Sequence, residues 1–141
     1  MKKEIYTHSE QETLQWAENF AKSLEKGAVV ALSGELGSGK TIIAKGIARG
    51  VGIDDDITSP TFTLLEVYGG AIPLYHFDLY RIESAAEFTC LGFEEYWEGD
   101  GISVVEWAER AKGLLPECTI QVTIEYITAT QRKITIEYPC N

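Results

Sequence analysis

An α/β fold with a mixed, partly antiparallel sheet flanked by helices is predicted by three features of the sequence. Residues 28–32, Ala-Val-Val-Ala-Leu, read as a buried strand that runs into a glycine-rich loop. Beyond the loop, residues 41–48 carry Ile43 and Ile47 four apart, the spacing of one helix face. Two β-rich runs, 61–68 and 72–80, flank Gly69-Gly70 and read as a hairpin, which makes that part of the sheet antiparallel. Residues 119–126 and 133–138 alternate β-branched with polar side chains on either side of a turn near Thr128-Ala129-Thr130, giving a second hairpin.

The remaining elements follow in chain order. Ser9-Glu10-Gln11-Glu12 fits the S-x-x-E capping box, and Leu14, Ala17, Phe20, Ala21 and Leu24 then share one helical face, with Gly27 expected as the C-terminal cap. Gly50 and Gly52 end the second helix, and residues 54–60 form a polar, turn-rich loop. Residues 84–90 and 93–97 read as short helices. Residues 102–106, Ile-Ser-Val-Val-Glu, read as a short apolar strand that closes on an acid, and residues 107–112 as a short helix stopped by Gly113 and Pro116. There is no internal repeat, low-complexity stretch or linker, so a single domain over 1–141 is expected.

Composition excludes several classes. Of 141 residues, 45% are hydrophobic and 24% charged, an ordinary balance for a globular chain. No apolar run approaches the roughly 20 residues that span a bilayer, and Met1-Lys2-Lys3-Glu4-Ile5-Tyr6 lacks a signal-peptide core, so a cytoplasmic protein without membrane contact is expected. Cys90, Cys118 and Cys140 form no C-x-x-C pair or zinc framework and read as small core or surface residues in a reducing compartment. A net charge of −10 argues against strong direct binding of nucleic acid through its phosphates. From Ile82 to Glu109 there are eight acids and no Lys or Arg: a solvated face, or a surface steered toward a basic protein partner.

Chemistry concentrates in Gly34-Glu35-Leu36-Gly37-Ser38-Gly39-Lys40-Thr41, which fits G-x-x-x-x-G-K-[ST] without mismatch. Glycines let backbone N–H groups turn inward around phosphate oxygens. Lys40 reaches the β- and γ-phosphates, the Thr41 hydroxyl suits Mg²⁺, and the following helix directs its positive end at the anion. Strand, loop and helix occur in the order this motif requires, so the expected fold is P-loop NTPase-like. Such a site also needs an acid at the end of a buried strand, and Glu106 has that place; the usual residue there is Asp, and the longer Glu favours contact through water.

In His76-Phe77-Asp78-Leu79-Tyr80-Arg81, alternation puts His76, Asp78 and Tyr80 on one face and Phe77 and Leu79 on the other. Asp78 there is either a solvent-facing hairpin acid or a residue that orients water or helps hold Mg²⁺, whereas His76 suits a structural hydrogen bond better than a base. Ser59-Pro60-Thr61-Phe62 is either a plain turn or a loop that senses the γ-phosphate. The guanine-reading N-K-x-D pattern is absent, since the asparagines are Asn19 and Asn141, which favours adenine or a permissive site.

The phosphate loop, then Ser59-Pro60-Thr61-Phe62, Tyr75-His76-Phe77-Asp78-Leu79-Tyr80-Arg81, Leu91-Gly92-Phe93-Glu94-Glu95-Tyr96 and Val104-Val105-Glu106-Trp107-Ala108-Glu109 occur in this order and spacing. Together they resemble the bacterial TsaE family (formerly YjeE), the P-loop ATPases of tRNA N6-threonylcarbamoyladenosine (t6A) biosynthesis, over nearly the whole chain. The resemblance implies ATP or ADP with Mg²⁺ as ligands. It implies nucleotide contacts from Glu35, Leu36, Gly37, Ser38, Gly39, Lys40, Thr41, Ile42, Thr61 and Trp107, metal contacts from Thr41, Asp78 and Glu106, and catalytic roles for Lys40, Asp78 and Glu106. It also implies weak hydrolysis by the isolated chain and stronger hydrolysis with two partners, TsaB and TsaD. Ile42 replaces a second hydroxyl frequent in the family, and Ala108 a frequent Pro. A nucleotide-gated binding module with incidental hydrolysis, or a small kinase, stays open beside this reading.

Overall fold

Val-Val-Ala-Leu at 29–32 has no polar face, so it has to lie between strands with both faces covered. The computed structural model places it there; it describes the chain except Leu36, residues 58–63, Lys112, Cys140, Asn141 and the side chain of Glu98. The strands are β1 (Lys2–Thr7), β2 (Val29–Gly34), β3 (Leu65–Tyr68), β4 (Leu74–Asp78), β5 (Ile102–Glu106), β6 (Ile120–Tyr126) and β7 (Arg132–Glu137). The helices are α1 (Glu10–Lys22), α2 (Lys40–Gly50) and α3 (Ala85–Cys90), with 3₁₀ turns at Phe93–Glu98 and Ala108–Ala111. One seven-stranded sheet runs β1-β7-β6-β2-β5-β4-β3. The centre, β6-β2-β5-β4, is parallel; the hairpins β3–β4 and β6–β7 and the β1–β7 edge are antiparallel, so the sheet is mixed as expected.

Alternation splits the core in two. Val30 and Leu32 of β2, Ile102 and Val104 of β5, Val122 and Ile124 of β6 and Ile134 and Ile136 of β7 pack under α1 and α2. On the opposite face Val29, Phe77 and Val105 pack against Phe88, Trp97 and Ala111. Phe88 stacks on Trp97 with ring centroids 4.9 Å apart, and Phe77 meets both at a tilt.

The α1 start is read correctly from sequence: the Ser9 side chain accepts a hydrogen bond from the Glu12 amide at 3.0 Å. The return bond differs, because Glu12 Oε1 accepts from the amide of His8, at 3.0 Å. The helix ends at Lys22, five residues before Gly27, and is capped by Ser23, whose hydroxyl donates to Phe20 O at 2.6 Å. Thr13, absent from the expected apolar face, is buried and bonds Thr7 Oγ1 at 2.7 Å, tying β1 to α1. Strand β1 itself was not expected, since Lys2, Lys3 and Glu4 hide a strand whose inward residues are Ile5 and Thr7. The first hairpin closes at Tyr68↔Leu74, so a five-residue loop, 69–73, replaces the tight Gly-Gly turn. Cys118 is disulfide-bonded, contrary to the expectation of unpaired small residues, while Cys90 is free. Among the described residues no helix is long and apolar enough to cross a membrane.

The two long helices approach closely at Gly46, where an added Cβ would collide with the Cβ of Ala17 and lie 2.7 Å from Leu14 O. Gly46→Ala should therefore destabilise the fold by about 1–3 kcal/mol through overpacking, despite the roughly 1 kcal/mol helix-propensity advantage of Ala. Urea denaturation measures this, and a stabilised variant would contradict the tight α1–α2 contact.

Candidate functional site

Strand β2 lies between β5 on one side and β6 on the other, and the loop that leaves its carboxyl end turns into α2. A crevice at such a reversal of strand order is where open α/β sheets bind ligands. Two glycines shape the loop. A Cβ on Gly34 would lie 2.6 Å from both Ile124 O and Ser38 Oγ, so the backbone needs that space. Gly39 caps α2 with φ +117°, a left-handed conformation open to glycine. Ser38 is buried, and its Oγ has no hydrogen-bond partner among the described residues.

Parallel register carries the acids to this loop. Leu32 pairs with Glu106, and Glu106 pairs with Asp78 on the next strand. Their side chains share the face of Val104 and Leu74, the face covered by α2. Glu106 is 4% exposed. Its Oε1 stands 4.0 Å from Lys40 Nζ and its Oε2 2.7 Å from His76 Nε2. Asp78 is half-buried, and its Oδ1 accepts the Tyr80 amide at 3.1 Å. Desolvation pushes the Asp78 carboxyl above the usual aspartate range; the nearby Glu106 charge adds to this, while the Tyr80 amide and Lys40 oppose it.

The sequence-predicted residues thus separate into those that meet and those that do not. Lys40, Asp78, Glu106 and Trp107 come together. Trp107 has φ +59°, the sole positive φ of a non-glycine residue among those described. Its ring lies 5.5 Å from Lys40 Nζ, 5.7 Å from Arg110 Cζ and 4.9 Å from the ring of Tyr80. Gly37, Ser38, Gly39 and Ile42 belong to the loop and the helix start; Thr41 opens α2 beside Lys40. Glu35 is exposed at the loop entrance. Leu36, Thr61 and the segment 59–62 fall outside the described residues. Tyr80 does not share a strand face with His76, because β4 stops at Asp78 and Tyr80 turns outward.

Two features escaped the sequence. Arg132, first residue of β7, reaches past β6 to the phosphate loop: its Nε donates to Ser38 O at 2.8 Å and its Nη1 to Thr128 O at 2.6 Å, while its guanidinium lies 4.5 Å from the Tyr126 ring. A cavity of about 220 Å³, lined among others by Ser9, Thr13, Ser38, Ile42, Thr130 and Arg132, opens beside the loop on the same side. No local pattern flags Arg132, since its partner is 94 positions away. Glu106 also leaves the acidic stretch as a surface charge, because it is buried; Glu95 and Asp100 remain exposed.

Among the described residues no group of three or more His, Cys, Asp or Glu side chains comes together to hold a metal alone. Mg²⁺ is usually bound by one or two carboxylates plus phosphate oxygens and waters. A hydroxyl at Thr41 and carboxylates at Glu106 and Asp78, one buried and one half-buried, fit that requirement once phosphate is present.

Similarity to known proteins extends over nearly the whole chain. The family model described as "Threonylcarbamoyl adenosine biosynthesis protein TsaE" matches residues 7–134. The tRNA threonylcarbamoyladenosine biosynthesis protein TsaE of Treponema pallidum is 44% identical over 130 residues, covering 92% of this chain and 96% of that protein. Its namesake in Bacillus subtilis is 41% identical over 130 residues, covering 92% and 81%. The crystal structure of Bacillus subtilis YdiB matches with a TM-score of 0.83 at 35% identity, over 100% of this chain and 88% of that one. Sequence and fold agree over nearly the full length, and the chain belongs to the TsaE family of tRNA threonylcarbamoyladenosine biosynthesis proteins.

Proposed function

We propose that this chain binds ATP with Mg²⁺ at the loop 34–41 and hydrolyses it slowly, as a subunit acting with TsaB and TsaD in t6A formation. The observation that carries the reading is Lys40 Nζ lying 4.0 Å from a buried carboxylate, Glu106, at the end of the strand adjoining the phosphate loop. A cation and an anion so placed on a motif of this kind match the needs of a phosphate and its metal.

The roles follow from phosphoryl-transfer physics. Backbone amides of residues 37–41 and the Lys40 ammonium hold the phosphates, and the α2 N-terminus adds its positive end. Thr41 and Glu106 hold Mg²⁺, which neutralises charge developing on the transferred group. Asp78, whose raised pKa favours taking up a proton, orients the attacking water at the edge of the site. The cavity lined by Ser38, Ile42 and Thr130 receives the base. Trp107 covers Lys40 and limits water around it.

A slow intrinsic rate is consistent with the arginines. Arg132 is committed to the Ser38 carbonyl, Arg49 sits in the last turn of α2, away from the loop, and Arg110 lies against the Trp107 ring at 5.7 Å. An arginine supplied in trans is worth about 10³–10⁵ in rate elsewhere, which is the kind of contribution a partner would make. Glu95, exposed on the acidic stretch, is offered as part of the partner surface.

Phosphate release from Mg·ATP should be low for the isolated chain and rise at least tenfold with TsaB and TsaD; Lys40→Ala should abolish both. Equal release by Lys40→Ala and wild type would refute the site, and ATP binding without release under any condition would favour a nucleotide-gated binding module. Glu94→Lys with Glu95→Lys should weaken complex formation with those partners without altering ADP affinity, as measured by calorimetry.

Asp78 gives a prediction with a worked sign. Its folded-state pKa lies above the unfolded one, so ionised Asp78 costs folding stability at neutral pH. That cost fades as pH falls through the raised value toward the ordinary aspartate range. In EDTA, Asp78→Asn should melt higher than wild type at pH 7, with the gain shrinking on acidification. Phosphate release should drop by about 10²-fold or more. A variant that melts lower at pH 7 would show that the carboxylate is stabilising.

A further inference from the structure

His76 is fully buried in the sheet face that α2 covers, among Leu74, Ile102 and Val104, where a leucine or phenylalanine would satisfy packing without burying a polar ring. Its Nε2 lies 2.7 Å from Glu106 Oε2. An ionised carboxylate only accepts, so the bond is formed by a proton on Nε2 donated to Glu106. The other ring nitrogen, Nδ1, is buried and has no hydrogen-bond partner among the described residues. All of the ring's directional bonding is therefore spent on one oxygen of one carboxylate. The other oxygen, Oε1, is the one that stands 4.0 Å from Lys40 Nζ, toward the phosphate loop.

The two acids at the strand ends are oriented by different means. Asp78 is held locally, by the amide of Tyr80 two residues on. Glu106 has a longer side chain with more rotamers and no described local hydrogen bond to its carboxylate; its constraint comes from the neighbouring strand. We propose that His76 is a positioning residue: its Nε2–H holds Glu106 Oε2 so that Oε1 is presented to the divalent cation accompanying the nucleotide phosphates. This rests on the reading that Glu106 contacts that cation. Hydrogen bonds to ligating carboxylates typically change metal affinity by about 10–100-fold. The ring does not act as a base, because its free nitrogen is sealed from water.

The test uses Mn²⁺ as a paramagnetic probe, titrated by electron paramagnetic resonance into the full chain saturated with ADP. A companion calorimetric titration measures ADP in EDTA. His76→Asn and His76→Leu remove the donor at the Nε2 position with different side-chain volumes; His76→Gln extends an amide N–H to about that position. The expected result is Mn²⁺ affinity lowered about tenfold or more in the Asn and Leu variants, largely restored in the Gln variant, with metal-free ADP affinity within about twofold throughout. Wild-type Mn²⁺ affinity in whichever donor-less variant folds overturns the proposal. So does equal loss in all three variants, and so does a failure of all three to fold, which would make His76 purely structural. Glu106→Gln separates the premise: unchanged Mn²⁺ affinity there removes the cation role of Glu106 itself, whatever His76 does.

Discussion

A carboxylate cannot be left unpaired in an apolar cluster, and the site is organised around that constraint at Glu106. The residue is 4% exposed, and its side chain enters the same layer as Ile102 and Val104. Burying an unpaired ion costs several kcal/mol even after relaxation, so the fold has to bring partners. It does so through register. Parallel pairing of β5 with β2 and β4 puts the P-loop lysine on one side of the carboxylate and the His76 imidazole on the other. A slip of one residue in β5 would turn Glu106 into the aromatic layer with Phe77 and Trp97, away from Lys40 and His76.

The phosphate loop is held from the opposite flank by different chemistry. Arg132 bonds the Ser38 carbonyl and the carbonyls of the hairpin loop that precedes it, while its guanidinium lies over Tyr126. Hydrogen bonds from a charged donor are worth about 1.5–3 kcal/mol each, enough to set a loop that has few side chains of its own. The β6–β7 hairpin is thus mechanically continuous with the loop that carries Lys40. On the far side Trp107, held in a left-handed conformation directly after Glu106, lays its ring near the same lysine. Non-glycine residues kept at positive φ store strain of about 1–3 kcal/mol and recur at functional sites. Lys40 is therefore bounded by an acid, an indole and a braced backbone.

Much of this was legible in the residues. The S-x-x-E box marks the true start of α1, residues 102–106 coincide with β5, and Ser84 caps α3 through the Glu87 amide. What escaped has a common cause. In β1, Lys2 and Glu4 lie on the wet face, where Glu4 pairs with Lys133 at 3.0 Å, and Lys3 is exposed on the face of Ile5, so the first three residues of β1 show no apolar alternation. Its strand character lies in pairing with β7, at the other end of the chain. Gly27 looked like a cap because it follows the last apolar residue, but Ser23 offers a hydroxyl that closes the helix earlier. The acidic stretch read as one surface because linear charge counting cannot see that Glu106 points inward.

The sequence by itself determined the chemistry of the loop 34–41, the order of strand, loop and helix around it, and the candidacy of Asp78 and Glu106, because those depend on residue type and on spacing within one element. The tertiary structure decided which of these groups touch. Glu106 and Asp78 are 28 positions apart, yet neighbours by strand pairing; Arg132 reaches a carbonyl 94 residues back, and His76 meets Glu106 at 2.7 Å. Contacts of that kind follow from the order in which strands lie beside one another, and periodicity along a single strand carries no information about its neighbours.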